Sequence, residues 1–379
     1  MRKAINLQQA YRLPWTKSDN PNGWIEVTTY CQLKCPGCYR GLAEESPARK
    51  HEDLKRVKSD IDRLVNERNI QTLSIAGGEP LMYPYLKEVV SYALDQGLET
   101  KVFTNGLALT ESRLKELKDL GLGELIIHVD RFQERRDMVG LSSTNDLRYR
   151  FCEMFREVGG VNLGFIMPVS ADNFQEASEA IDLGKRNADV VNLMVFTTYK
   201  DTLPQKDSTF RKDSLRNESM QSLAEFVQQK YNAGPCAYLG KINDRDSPSW
   251  LFTVPLIMGG EVIGHVDGSV IKSLEEKHKE YTGKYFFAAN KDHAGIRTAL
   301  PFILKKHYAP IIGRVVKKKL MNPFARLKPQ VVLIIDGPAK ENGAWNLCDG
   351  CPDAMYHDGR LVPSCLLERI KAGEEIVTV

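Results

Sequence analysis

The sequence has no apolar run near the ~18 residues that a membrane-spanning helix needs. Its start, MRKAINLQQAYRLPW, has no apolar core of the kind a secretion signal carries. Both absences lead to the expectation of a chain that stays in the cytoplasm. There is no internal repeat and no low-complexity tract, so neither a solenoid nor a disordered polymer is expected. Charge of one sign is lacking too: the net charge is only +3 over 379 residues, which implies no polyanionic partner for the chain as a whole. Nucleic acid is disfavoured because no RNA-binding module or aromatic stacking platform is recognisable. What is present is ample apolar content on a chain long enough for two or three domains.

Eight cysteines stand at 31, 35, 38, 152, 236, 348, 351 and 365. Without a secretion signal their clustering reads as reduced metal sites rather than disulfides. Cys152, alone in LRYRFCEMFREV, reads as a small buried apolar residue.

From residue 24 short apolar runs alternate with stretches of helical period. Strands are predicted at 24–30, 72–77, 100–106, 124–130, 162–169 and 190–197, with helices near 48–68, 84–96, 111–120, 145–158 and 173–186. Such alternation requires a parallel sheet with helical crossovers, and both a doubly wound sheet and a partial barrel fit it. In either, ligands gather at the carboxyl ends of the strands. The polar punctuation falls there: the cysteine loop, then GGEP, TNG and HVD.

The rhythm breaks near residue 199 in a polar, charge-dense stretch, YKDTLPQKDSTFRKDSLRNE, where a domain boundary is placed. A helix at 219–232 follows, then a hairpin turning at Gly259 and Gly260, a charged helix (IKSLEEKHKEY), and an apolar strand at 331–336. The expected fold class is α/β: a partial (β/α)6 TIM-like barrel over 15–200, an accessory α/β region over 201–336, and a cysteine-rich tail over 337–379. Within 301–329 lie eight Lys or Arg and no acid, interleaved with apolar residues. Two readings stand. The stretch is a solvated helix face packed on its apolar side, or a cationic amphipathic helix resting peripherally on an anionic membrane or gripping a phosphorylated substrate.

Cys31, Cys35 and Cys38 put three thiolates within eight positions, and the nearest histidine, His51, is a poorly placed fourth ligand for a closed zinc site. A [4Fe-4S] cube held by three thiolates leaves one iron open. This C-x3-C-x2-C spacing after the first strand of a β/α series resembles the signature of the radical S-adenosylmethionine (SAM) enzymes. The resemblance extends over about residues 20–200. It implies that the open iron chelates SAM, that reductive cleavage yields methionine and a 5′-deoxyadenosyl radical, and that the radical removes hydrogen from an unactivated carbon. It also implies a reductant such as flavodoxin or ferredoxin.

GGEP, Gly77 to Pro80, is the second match. Its glycines would let the backbone approach a ligand with its amides exposed, while Glu79 and Pro80 end the strand. By resemblance Gly77, Gly78, Glu79 and Pro80 hold the SAM amino group, and Thr104, Asn105, His128 and Asp130 contact cosubstrate or substrate. Gly37 stands where the family often has an aromatic residue, with Tyr39 just after.

The tail, WNLCDGCPDAMYHDGRLVPSC, contains Cys348, Cys351 and Cys365, with Asp358 and Gly359 marking a hairpin turn that returns Cys365 toward the C-x2-C loop. It is similar to the SPASM and twitch extensions, and implies one auxiliary [4Fe-4S] cluster whose fourth ligand is Cys236, His357 or nothing. A zinc knuckle is the alternative. The functional expectation is a radical SAM enzyme acting on a peptide or protein, or on a lipid, by cross-linking, oxidation or carbon-carbon bond formation. A peptide substrate often comes with a leader-binding domain, and none is recognisable. The rival is a non-catalytic iron-sulfur or zinc protein that carries electrons or binds RNA.

Overall fold

The computed structural model describes residues 5, 7–35, 38–41, 49–133, 135–138, 140, 143–200, 202–203, 219–286, 308–341 and 343–376. Gly37, the polar stretch 204–218 and the first part of the basic segment, 301–307, lie outside the described residues.

The strands are β1 (Tyr11–Arg12), β2 (Asn22–Glu26), β3 (Thr72–Ala76), β4 (Glu99–Thr104), β5 (Glu124–His128), β6 (Asn162–Val169), β7 (Val191–Thr198), β8 (Ala237–Gly240), β9 (Pro248–Thr253), β10 (Pro255–Met258), β11 (Glu261–His265), β12 (Lys328–Pro329), β13 (Val331–Ile335), β14 (Ala339–Glu341), β15 (Ala344–Asn346), β16 (Ala354–His357) and β17 (Arg360–Pro363). The helices are α1 (Leu54–Arg68), α2 (Leu86–Asp95), α3 (Glu111–Asp119), α4 (Thr144–Val158), α5 (Phe174–Arg186), α6 (Met220–Tyr231), α7 (Gly268–Thr282), α8 (Ala309–Met321) and α9 (Leu367–Lys371).

Strands β2 to β7 lie side by side in chain order, all parallel. Sequential order with helical crossovers stacks the helices on one face, so the sheet curls as part of a barrel instead of reversing direction midway. Alternation along each strand divides the faces. Ile25, Leu73, Ile75, Val102, Leu125 and Ile127 join Val57, Ile61 and Leu64 of α1 in the core under the helices. Trp24, Ala76, Phe103, Ile126 and Ile166 line a cavity on the opposite face. Local caps agree with the register. Asp53 accepts from the Lys55 and Arg56 amides at the start of α1, and Ser143 with Asp146 forms a capping box on α4.

The sheet does not end at β7. Val331–Ile335 pairs parallel to β7 from Leu193 to Thr197, and β9, β8 and β1 extend it to ten strands among the described residues. Among the described residues α8 has no buried side chain.

The tail bridges the two flanks of the curled sheet. Next to β8 the Ile242 amide donates to Leu347 O and the Asp349 amide to Gly240 O, at 2.9 Å each. Next to β2 the Asn22 side chain donates to Pro352 O at 3.1 Å. Met355, Val362 and Leu367 pack there on Trp24. The expected turn is present: Asp358 and Gly359 have φ of 46° and 74°, both positive as a two-residue hairpin requires.

Candidate functional site

The carboxyl ends of the parallel strands open on a cavity of about 410 Å3, within the usual range for small-molecule sites. Cys31, Cys35, Cys38, Cys348, Cys351 and Cys365 all line it. Both predicted trios therefore face a single space.

The first trio sits in the loop after β2. The Cys38 amide donates to Cys35 O at 3.1 Å, and the Asn105 side chain donates to Cys31 Sγ at 3.6 Å. Burial pushes the Cys31 thiol up to about 11, with Glu79 and Cys38 adding to the rise; burial also raises Cys35, which feels Cys38, Asp130 and Cys31. Desolvated thiols facing one another suit a cationic metal body, because ligation deprotonates a thiol outright. Among the described residues no three Cys, His, Asp or Glu side chains are closed around a single ion. A cubane, which sets its sulfurs around its own bulk, fits that spacing. His51 is committed elsewhere: its Nδ1 meets Thr28 Oγ1 at 2.9 Å and its ring stacks on Tyr30.

GGEP works differently from the expectation. The Gly78 amide donates to Thr28 O and the Glu79 amide to Tyr30 O, both at 2.7 Å, so these amides hold the approach to the cysteine loop and are not exposed to a ligand. A Cβ on Gly78 would lie 2.3 Å from Tyr30 O, and Gly77 has φ of 134° with its Cβ position 2.5 Å from Thr28 O. The glycines permit backbone-to-backbone contact. Glu79 is 0% exposed and does not line the cavity, nor does Pro80. Its carboxylate accepts from Leu81 N at 2.9 Å, Thr104 Oγ1 at 2.6 Å and Asn105 N at 2.7 Å. The Glu79 side chain thus supports the turns after β3 and β4. The Thr104 hydroxyl is also taken, donating to Glu79 and accepting from Gly106 N.

Gly77, Gly78, Thr104, Asn105, His128 and Asp130 do line the cavity. His128 Nε2 lies 2.5 Å from Asp130 Oδ2, and Asp130 Oδ1 accepts from Phe132 N at 2.7 Å.

Cys348, Cys351 and Cys365 come together under the tail hairpin. Burial raises all three thiols, Cys348 to about 11, and Cys348 acts on the other two. Cys236 does not join them. It lies at the start of β8, whereas Cys348 pairs with Lys241 past its end, roughly 16 Å away at the usual strand rise. Its Sγ donates to Phe252 O at 3.4 Å inside an apolar cluster with Leu13 and Trp15. His357 faces a different pocket, beside Lys50, Arg56 and Lys371.

Several site residues carried no sequence signal. Arg68, 1% exposed at the end of α1, clamps the second loop by donating to Gly350 O, Cys351 O and Ala354 O at 2.9–3.3 Å. Arg135 donates to Asn105 O at 2.7 Å and helps hold down the thiol of Cys35. Gln133, 1% exposed, lines the cavity, and its Nε2 has no partner among the described residues. Asp336 at the end of β13 accepts from Lys241 and Thr198 at 2.8 Å, with Lys200 3.8 Å away. Each is an isolated polar residue in sequence, and only the crossovers bring them to one rim.

Residues 25–184 match the Radical SAM superfamily. Fe-coproporphyrin III synthase of Methanosarcina barkeri is 26% identical over 175 residues, 46% of this chain and 43% of that protein. PqqA peptide cyclase of Methylocella silvestris is 32% identical over 111 residues, 29% of each. This chain spans less than half the length of these relatives. The crystal structure of Streptococcus suis SuiB bound to S-adenosylmethionine superimposes with a TM-score of 0.44 at 16% identity, covering 55% of this chain and 47% of that one. Residues 25–184, which hold the cysteine loop and the β/α series, are thus the part of the chain that matches the Radical SAM superfamily.

Proposed function

We propose that the protein is an enzyme that cleaves S-adenosylmethionine reductively and uses the 5′-deoxyadenosyl radical to take hydrogen from a substrate in the cavity, ending in cross-linking, oxidation or carbon-carbon bond formation. The observation that carries it is a wall of three thiols, Cys31, Cys35 and Cys38, at the carboxyl ends of the parallel strands. A [4Fe-4S] cluster held by these thiols supplies, when bound, the electron and the open iron that SAM needs.

The remaining work belongs to the chain. Asn105 donates toward Cys31 Sγ, and hydrogen bonds to ligand sulfur tune a cluster's potential. Gln133 offers its Nε2, which has no partner among the described residues, to a polar cosubstrate. Phe103, Leu193, Val195 and Leu333 give the cavity an apolar wall that keeps water from a reactive carbon radical. The substrate reading we favour is a peptide, supported by the likeness to a PqqA peptide cyclase. The electron source is a small carrier such as flavodoxin or ferredoxin.

Anaerobic reconstitution followed by SAM and dithionite tests the proposal. The account expects 5′-deoxyadenosine from the intact chain and none from Cys35→Ala. A chain that holds its cluster yet makes none is the electron carrier or RNA-binding rival.

A lipid substrate is the second reading, favoured by one observation. Leu320 and Met321 in the last turn of α8 and Phe324 just past it are 80%, 77% and 90% exposed beside Lys317 and Lys319, with no acid from 301 to 329. An apolar tip ringed by cations suits an anionic bilayer, at about 1 kcal/mol per basic residue. Among the described residues no helix is long and apolar enough to cross a membrane. Binding to phosphatidylglycerol vesicles and not to phosphatidylcholine, lost on charge reversal at Lys317, Lys318 and Lys319, supports this reading. No binding to either removes it.

A further inference from the structure

We propose that Asp353 is the fourth ligand of the cluster carried by Cys348, Cys351 and Cys365, so that this second site is closed by a carboxylate. The assignment rests on the reading of that trio as an iron-sulfur site.

The candidates open to sequence reasoning fall away on geometry. Cys236 is spent on Phe252 O at the other end of β8 from Lys241, the bridge partner of Cys348, and His357 lines another pocket. Asp353 lies two residues past Cys351, at the start of the hairpin that returns Cys365, and lines the same cavity as all three thiols. The Ser364 amide donates to Asp353 O at 3.2 Å, which ties Asp353 to the residue before Cys365.

The carboxylate is aimed as well as near. Asn22 Nδ2 bonds both Pro352 O at 3.1 Å and Asp353 Oδ1 at 3.2 Å, fixing the backbone and one oxygen together. That bond takes one oxygen, Oδ1, of a carboxylate that lines the cavity shared with the thiols. Arg68 fixes the loop from beneath through the carbonyls of Gly350, Cys351 and Ala354, so the Cys351-to-Asp353 spacing is set before any metal arrives. Asp353 is partly exposed and lines the cavity, where its carboxylate can coordinate a metal. The first trio has no equivalent: Asp130, the acid near Cys35, spends its oxygens on His128 and Phe132 N.

Chemically, a carboxylate donates less charge to iron than a thiolate. Replacing thiolate ligands by less donating ones raises a cluster's potential, as histidine does in Rieske centres. Asp353 therefore sets the second cluster higher in potential than four cysteines would.

The test uses full-length protein with Cys31, Cys35 and Cys38 changed to Ala, reconstituted anaerobically, so that only the second site can hold iron. Expected is a four-iron cluster in this parent. Asp353→Ala and the isosteric Asp353→Asn should lose one iron on mild oxidation and show the paramagnetic signal of a three-iron cluster. Asp353→Cys should keep four irons, resist that loss and titrate at a more negative potential. Asn keeps the bond to Asn22, so a change shared by Ala and Asn reports ligation rather than loop collapse. Variants matching the parent in iron count, spectrum and potential overturn the ligand assignment while the cluster reading stands. A parent without iron or sulfide overturns the cluster reading and the assignment with it.

Discussion

Glu79 is the residue on which the site's internal order converges. Its fully buried carboxylate ties the turn after β3 to Thr104 and Asn105 after β4, and Asn105 in turn reaches Cys31. Glu79→Ala leaves the Leu81 amide, the Asn105 amide and the Thr104 hydroxyl without their acceptor, at about 1–3 kcal/mol per buried group. Denaturant unfolding should show a loss of at least about 3 kcal/mol over the three groups, accompanied by weaker retention of iron. A variant as stable as the parent would refute the support role. Gly78 is tested separately. The Cβ of Gly78→Ala would strike the Tyr30 carbonyl, which cannot swing aside as a side chain can, so the cysteine loop must shift. About 1–3 kcal/mol of overpacking is expected, with reduced cluster occupancy. The motif's existence and position were legible in the sequence, but the backbone that its amides meet was not. Amide exposure depends on which backbone lies opposite, and Thr28 and Tyr30 stand almost fifty residues away along the chain.

At the scale of elements, the first cysteine loop is fastened to the tail by the two residues after Cys38. Tyr39 donates to Glu26 Oε1 at 3.1 Å, and Arg40 pairs with Glu26 and, at 2.9 Å, with Glu368. Arg40 is 4% exposed, so removing it strands a buried carboxylate. Arg40→Met should cost about 3–5 kcal/mol. Adding Glu26→Gln should restore part of that loss, and no recovery in the double variant would mean that packing, not charge, is at stake. Glu374 is the tail's second fastener. It accepts from Trp345 Nε1 at 2.9 Å and pairs with Lys340 and Arg369, and the Lys340 bond leads in holding its carboxyl down to about 2. A depressed carboxylate contributes stability that is complete above its unfolded pKa and lost as pH falls through the folded one. Tail-localised hydrogen exchange should accordingly rise between about pH 4.5 and 2 in the parent, and Glu374→Gln should remove that dependence. The effect is small because the group is partly exposed. The six parallel strands and five crossover helices were legible because periods of two and 3.6 residues alternate without interruption. Strand β13 was legible as a strand but not as β7's neighbour, since nothing in VVLII names its partner. The predicted first strand stops short at Glu26 because Val27 to Tyr30 bond instead to the 50–52 segment and the glycine turn.

At the scale of the molecule, one curved ten-stranded sheet carries helices on one face and a cavity on the other, and the cysteine tail spans between β8 and β2. That closure puts two thiol trios on the wall of one chamber, an arrangement beyond the reach of motif spacing because it depends on where residues 337–376 return. The site's cysteines were legible, while Arg68, Arg135, Gln133 and Asp353 were not: single polar residues carry no period and no spacing. The most direct test of the account is the metal and sulfide content of oxygen-protected full-length protein in which Cys348, Cys351 and Cys365 are replaced by Ala, isolating the N-terminal trio. The account predicts iron and acid-labile sulfide in equal amounts and a reduced-cluster signal that changes when SAM is added. Zinc without sulfide at that trio would contradict it.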